Sequence, residues 1–301
     1  KGHYRITSSL VVNGTREALI GEGPYSIISL DVTSNTSQRT PAIVLSALNS
    51  STHNEYSRIE RLHIKRGTLS SGTWSYATAP PFPTTPDKTD AAISVRGEPY
   101  NAAGGVQRAV LQDIRIQNFS TGIYFNNVVG LTVKRIFVQQ NSVYAANGSI
   151  TGNSSKYCLG FHFDGEPFSD NSMSPLASIE LEECDVDHTG VSDSGSYTND
   201  TKSYGYYLKG KDLRDIYLRS CETSKGKIGI FASSSNSDWN WNIQIDRPII
   251  DNFSQTGIHL ENLNGAGATT INGGYLVGSG DCIWVDNCRG VTVTGGVQFL
   301  R

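Results

Sequence analysis

The sequence predicts an all-β protein built as a solenoid of stacked parallel strands. Three observations carry this expectation: a composition rich in glycine and poor in charge, a five-residue pattern that returns along the chain, and a second apolar stretch that follows each copy in similar phase. Of 301 residues, 31 are Gly and 10 Pro, and only 18% are charged. Helical bundles and coiled coils need Ala, Glu, Lys and Leu in quantity, a bias this chain lacks. Its 28 acids and 25 bases leave a net charge of −3 without a basic run, so nothing in the charge pattern points to nucleic acid. No run of about 18 apolar residues is present, and no membrane insertion is expected. The length supplies ample core for one large domain. Residues 1–301 read as one unit, with opening strands and irregular early coils over 1–100. Regular coils follow over 101–301, with insertions near 164–177 and 189–204. Both ends read as strand, so the chain is expected to be a fragment of something longer.

The repeat is a small residue, an apolar one, a variable one, a second apolar one, then a polar stretch. It appears as Gly122-Ile-Tyr-Phe-Asn, Gly160-Phe-His-Phe-Asp, Gly205-Tyr-Tyr-Leu-Lys, Gly229-Ile-Phe-Ala-Ser, Gly257-Ile-His-Leu-Glu and Cys282-Ile-Trp-Val-Asp. Looser copies begin at Ala42 and Ala92. From Gly122 onward the intervals are 38, 45, 24, 28 and 25 residues. A second strand aligns after these copies: Leu131–Val138, Ile179–Val186, Ile216–Thr223 and Ile243–Ile250. Two strands in fixed phase at a period near 25 residues describe coils that stack one on the next. Alternation of period two makes the strands β, and successive stacking makes the sheets parallel. The longer intervals are loop insertions.

With these rungs running over nearly the whole chain, the sequence resembles the right-handed single-stranded parallel β-helix of the pectate-lyase-like superfamily. The segments KGHYRI and LIGEG resemble the opening strand and first turn of that group. In its inserted loops, few charges and free cysteines it is most like bacteriophage tailspikes and capsule depolymerases. That resemblance implies a homotrimer on a virion tail or otherwise outside the cell, with a bacterial surface polysaccharide as its partner. Cys158, Cys184, Cys221, Cys282 and Cys288 show no zinc-type spacing. They read as buried thiols, which suits folding in a reducing cytoplasm. Neither metal nor cofactor is expected.

In such a stack, equivalent positions form ladders at about strand spacing. The outward column of the first strand reads Tyr124, His162, Tyr207, Phe231, His259, Trp284. Six rings in succession suit a sugar polymer, whose C–H faces pack on flat side chains. A subunit interface or simple ring stacking would use the same pattern. Two residues further on, the column reads Asn126, Asp164, Lys209, Ser233, Glu261, Asp286. Glu261 and Asp286 fall on neighbouring coils, which suits the roughly 5–5.5 Å separation of a retaining glycosidase pair. Asp164 and Glu166 offer a second pair, and His259 a proton-transfer or hydroxyl-binding group. The candidate catalytic set is therefore Glu261, Asp286, Asp164, Glu166 and His259. Candidate sugar-binding groups are Tyr124, His162, Tyr207, Phe231, Trp284, Asn126, Lys209 and Arg96.

The favoured reading is endo-hydrolysis of a capsule, exopolysaccharide or O-antigen. A lyase acting on a uronate would instead draw its base and neutraliser from Lys209, Arg96, His162 and His259. A non-catalytic receptor-binding or structural β-helix would need the rings alone. On the second strand, Lys134, Glu182, Arg219 and Asp246 alternate in sign and read as a solvated charge ladder. Asp185, Asp187 and His188 form the densest acidic cluster, without a calcium-loop pattern.

Overall fold

A computed structural model describes residues 2–34, 40–47, 53–75, 90–96, 105–139, 157–165, 175–188, 202–234, 240–265 and 267–300. Among these there is no helix, and hence none long and apolar enough to cross a membrane. The strands form a nine-stranded and a twenty-stranded sheet. All pairings are parallel except a local antiparallel contact between Thr73–Ser75 and His63–Ser70. Parallel strands joined by crossovers take the right-handed sense, and the fold is the expected right-handed parallel β-helix.

One coil shows the plan. Lys202–Gly210 gives the first strand, Leu213–Arg219 the second and Glu222–Ser224 the third, before Ile228–Ser233 opens the next coil. The first strands stack into the nine-stranded sheet; the second and third share the larger one. Between second and third strands the chain turns at a residue in the left-handed region. Asp113, Arg135, Glu183, Ser220 and Arg247 take this role with φ of 49–57°. The bend recurs at one level on the coils from Arg61 to Arg247, so the third strand departs in the same direction on each of these.

Inward side chains fill the coil. Ile123, Phe125, Phe161, Phe163, Leu208, Ile258 and Leu260 are fully buried. Phe125 and Phe163 lie 4.7 Å apart, and Phe161 stacks on Tyr206 at 5.0 Å with an interplanar angle of 2°. Each such ring pair adds about 0.5–1.5 kcal/mol beyond its area burial.

The glycine of the repeat has a steric cause. A Cβ at Gly160 would stand 2.5 Å from the Gly205 carbonyl oxygen and would also collide with Val186. Gly122, Gly205 and Gly229 meet the same obstruction from the next glycine of the ladder. A bare backbone lets the first strand swing close under the third.

The structure moves two sequence boundaries. The insertion expected near 164–177 begins after the strand Tyr157–Gly165, so Asp164 belongs to the sheet. The one expected at 189–204 ends by Lys202, where a strand has started. The sequence placed these limits by pattern, and ladder hydrogen bonding extends the strands past the point where the apolar pattern stops. Glu166 lies outside the described residues.

Candidate functional site

The register sets the outward column of the first strand as expected. Tyr124 pairs with His162, His162 with Tyr207, Tyr207 with Phe231, Phe231 with His259 and His259 with Trp284. Successive ring centroids stand 5.2, 5.4, 5.2, 5.2 and 6.1 Å apart. The ladder is continuous, yet its exposure is graded. Tyr124, His162 and Tyr207 are 1%, 5% and 5% exposed, whereas Trp284 is 50% exposed. Phe231 and His259 lie between these limits. An open groove along all six rings is therefore not what the chain presents: the early rungs are covered and only the last ones meet solvent.

Two further tyrosines join the strip. Tyr157 stacks on Tyr204 at 6.1 Å, and Tyr204 lies 5.0 Å from Tyr207 and 5.7 Å from Phe231. Tyr204 directly precedes the ladder glycine Gly205, and Tyr157 stands three residues before Gly160. Alternation counted from Tyr207 passes over Tyr204 because the two are three residues apart.

The adjoining polar column is equally in register. Arg96 pairs with Asn126, Asp164 with Lys209, Lys209 with Ser233, Ser233 with Glu261 and Glu261 with Asp286. Asp164 is committed within the protein: its carboxylate accepts from the Tyr124 hydroxyl at 2.7 Å, and its carbonyl accepts from the Asn126 amide at 2.9 Å. Glu261 accepts from Asn262 at 3.3 Å, and Asp286 is exposed. Burial lowers the His259 pKa, partly offset by Glu261 and Asp286. Its Nδ1 has no hydrogen-bond partner. Lys209 is exposed on the same face. The structure thus gathers Phe231, His259, Trp284, Lys209, Glu261 and Asp286 at one accessible stretch, while Asn126, Tyr124 and His162 lie buried and Arg96 half-buried.

A second outward strip runs up the third strands. Arg115, Phe137, Asp185, Glu222, Ile249 and Tyr275 occupy one level on successive coils. Beside them run Gln117, Gln139, Asp187, Ser224 and Asp251. The Arg115 guanidinium lies over the Phe137 ring at 5.4 Å and donates to Gln139 at 2.9 Å. Ser224 donates to Asp187 at 3.3 Å. Burial, with the nearby charges of Glu222 and Asp187, pushes Asp185 up to about 7. A carboxyl group raised in this way keeps its proton more readily, and a neutral carboxyl can donate a proton. The sequence marks Asp185 and Asp187 as an acidic cluster. Their neighbour Glu222 follows from aligning Cys184 with Cys221, and the strip's flanking apolar groups emerge only in the stack.

The charge ladder is confirmed as register: Lys134, Glu182, Arg219 and Asp246 are successive partners. Lys134 pairs with Glu182 at 2.5 Å, whereas Arg219 reaches Glu180 at 2.5 Å. Of Asp238-Trp239-Asn240-Trp241, only the backbone of the last two residues is described, as the start of a second strand. Among the described residues no group of three His, Cys, Asp or Glu side chains is placed to hold a metal ion.

No protein-family model matches the chain, and no curated protein matches it. Among solved structures it is similar to the catalytic domain of a GH87 alpha-1,3-glucanase in complex with nigerose, at 12% identity and a TM-score of 0.43, covering 100% of this chain and 62% of that one. It is similar to ORF18 of Geobacillus virus E2 at 13% identity and TM-score 0.43, covering 99% and 51%. A third similarity is to endo-xylogalacturonan hydrolase from Aspergillus tubingensis, at 9% identity and TM-score 0.47, covering 99% and 83%. The chain spans 62% and 51% of the lengths of the first two. These likenesses carry no residue-level correspondence, and the fold rests on the strand register itself.

Proposed function

We propose that this chain is the β-helix of an endo-acting glycoside hydrolase, a tailspike-type depolymerase of a bacterial capsule, exopolysaccharide or O-antigen, working as a homotrimer on a virion or otherwise outside the cell. The observation that supports this most is the Asp185–Glu222 pair, in register on adjacent coils with Asp185 raised to about 7. Coils stack about 4.8 Å apart, near the roughly 5–5.5 Å at which one carboxyl group protonates the leaving oxygen and the other attacks the sugar. Asp185 holds the proton that goes to the glycosidic oxygen. Glu222, charged beside it, takes the nucleophile's part, and water then releases the sugar as Asp185 recovers its proton. Phe137 below and Ile249 and Tyr275 above give flanking sugar rings apolar surface.

A second reading places the reaction at Glu261 and Asp286, favoured by the exposed end of the ring ladder, where Trp284 and His259 adjoin the pair. Digestion of a panel of capsule and lipopolysaccharide preparations, with mass analysis of the products, tests the activity. Saturated oligosaccharides support hydrolysis. Products with an unsaturated end that absorb in the ultraviolet identify a lyase, and tight glycan binding without any product identifies a receptor-binding β-helix. Asp185→Asn and Glu261→Gln, assayed side by side, separate the two centres.

A further inference from the structure

Cys184 and Cys221 each follow a left-handed bend residue, Glu183 and Ser220, and lie between register pairs Glu182–Arg219 and Asp185–Glu222. They are therefore direct neighbours on successive coils. Both are buried, in an inward column whose other members include Leu62, Ile114 and Ile136. Two sulfurs thus replace aliphatic groups at adjacent levels of an otherwise hydrocarbon stack. Neighbouring coils stand about 4.8 Å apart, within the roughly 4.4–6.8 Å between Cα atoms that a disulfide spans. The Cys184 thiol donates to the Val133 carbonyl at 3.7 Å and the Cys221 thiol to the Leu181 carbonyl at 3.6 Å, and the Tyr206 hydroxyl, donating to the Cys184 carbonyl at 2.7 Å, packs beside the pair. Burial raises the Cys184 thiol. At Cys221 burial acts in the same sense, but the adjoining Cys184 thiol opposes it and leaves that thiol lowered.

The other three cysteines stand level with residues other than cysteine. Cys158 is level with Ser203 and approaches His188 at 3.7 Å. Cys282 is level with Gly257, and Cys288 with Leu263.

We propose that Cys184 and Cys221 are a disulfide-forming site that staples two successive coils by exchange with a small-molecule disulfide. The Cys221 thiolate attacks one sulfur of that disulfide and expels a thiolate, leaving a mixed disulfide on the protein. Cys184 gives its proton to the departing thiolate and attacks the Cys221 sulfur, which expels the second small thiolate. The protein loses two electrons and two protons, and the small disulfide becomes two thiols. Because both sulfurs are buried, the exchange proceeds during folding or on opening of these coils.

The test uses oxidised glutathione, added to the folded chain and, separately, to a redox buffer in which the unfolded chain refolds. Digestion without reductant by trypsin and a Glu-specific protease cuts after Glu183 and so separates Cys158 from Cys184. The expected product is a Cys184 peptide joined to a Cys221 peptide, two hydrogens lighter than the sum of the free peptides. It should be lost on addition of reductant and absent from C184S and C221A. The joined form should unfold several degrees higher than the reduced form, a shift missing in both variants. Refolded chain that contains no such peptide, or that joins Cys158, Cys282 or Cys288 instead, overturns the proposal.

Discussion

Asp185 with Glu222 and Glu261 with Asp286 are both carboxylate pairs on adjacent coils in direct register. The first pair sits mid-solenoid, with apolar side chains on either side along the strand face, and its Asp185 is half-buried and raised to about 7. The second lies on the last described coils, where Asp286 is exposed and Trp284 is half out in solvent. Spacing alone does not separate acid from bystander. Desolvation does, because it withholds water from the charged form while the neighbouring charge opposes ionisation. At the second pair the exposed end of the ring ladder offers apolar surface instead.

The largest effect expected from this contrast is on turnover. Asp185→Asn should lower kcat by about 10²–10⁴-fold with the fold intact by circular dichroism, and Glu261→Gln should change it only a few-fold. Equal losses, or a larger loss at Glu261, would move the reaction to the second pair.

The pH dependence comes next. If Asp185 must be protonated, the rate should fall about tenfold per unit above pH 7. The same raised pKa sets a stability signature. A carboxyl group whose folded pKa lies above its unfolded value of 3.8 stabilises the fold fully below that value, and the contribution is lost as pH rises through about 7. Asp185→Asn should therefore unfold at a higher temperature than wild type at pH 7, with the difference vanishing near pH 3. A variant that is less stable at pH 7 would remove the claim that this site is held against its own charge.

A smaller effect is expected at the ring ladder. Trp284→Ala should weaken glycan retention by about 1 kcal/mol, roughly fivefold in affinity electrophoresis. If Phe137→Ala does so and Trp284→Ala does not, sugar binds along the third-strand strip alone. The smallest belongs to the second-strand face, where Lys134→Ala should alter stability by less than about 1 kcal/mol and leave cleavage unchanged. A measurable loss of activity there would mean that substrate or another subunit reaches that face.

The fold was legible because its constraints repeat. The close approach that forbids a Cβ at Gly160 acts equally at Gly122, Gly205 and Gly229, so the sequence writes it several times. Inward columns and the Cys184–Cys221 alignment followed from the same phase. Exposure was not legible, because it depends on what lies over a coil and not on the coil itself. Tyr124 and Trp284 have the same orientation and opposite surroundings. Asp185 shows the same limit. The sequence marks it as acidic, but its proton is held by burial and by Glu222, a residue 37 positions further on.

The bend between second and third strands bears on how such a chain can change. Each coil returns to one register after passing left-handed corners at fixed levels, and intervals as different as 24 and 45 residues rejoin the same ladder. Length added between strands is absorbed locally, since each coil is answerable only to the coils above and below it. Segments between strands can thus be exchanged one at a time, and a new surface specificity can be acquired without redesign of the interior.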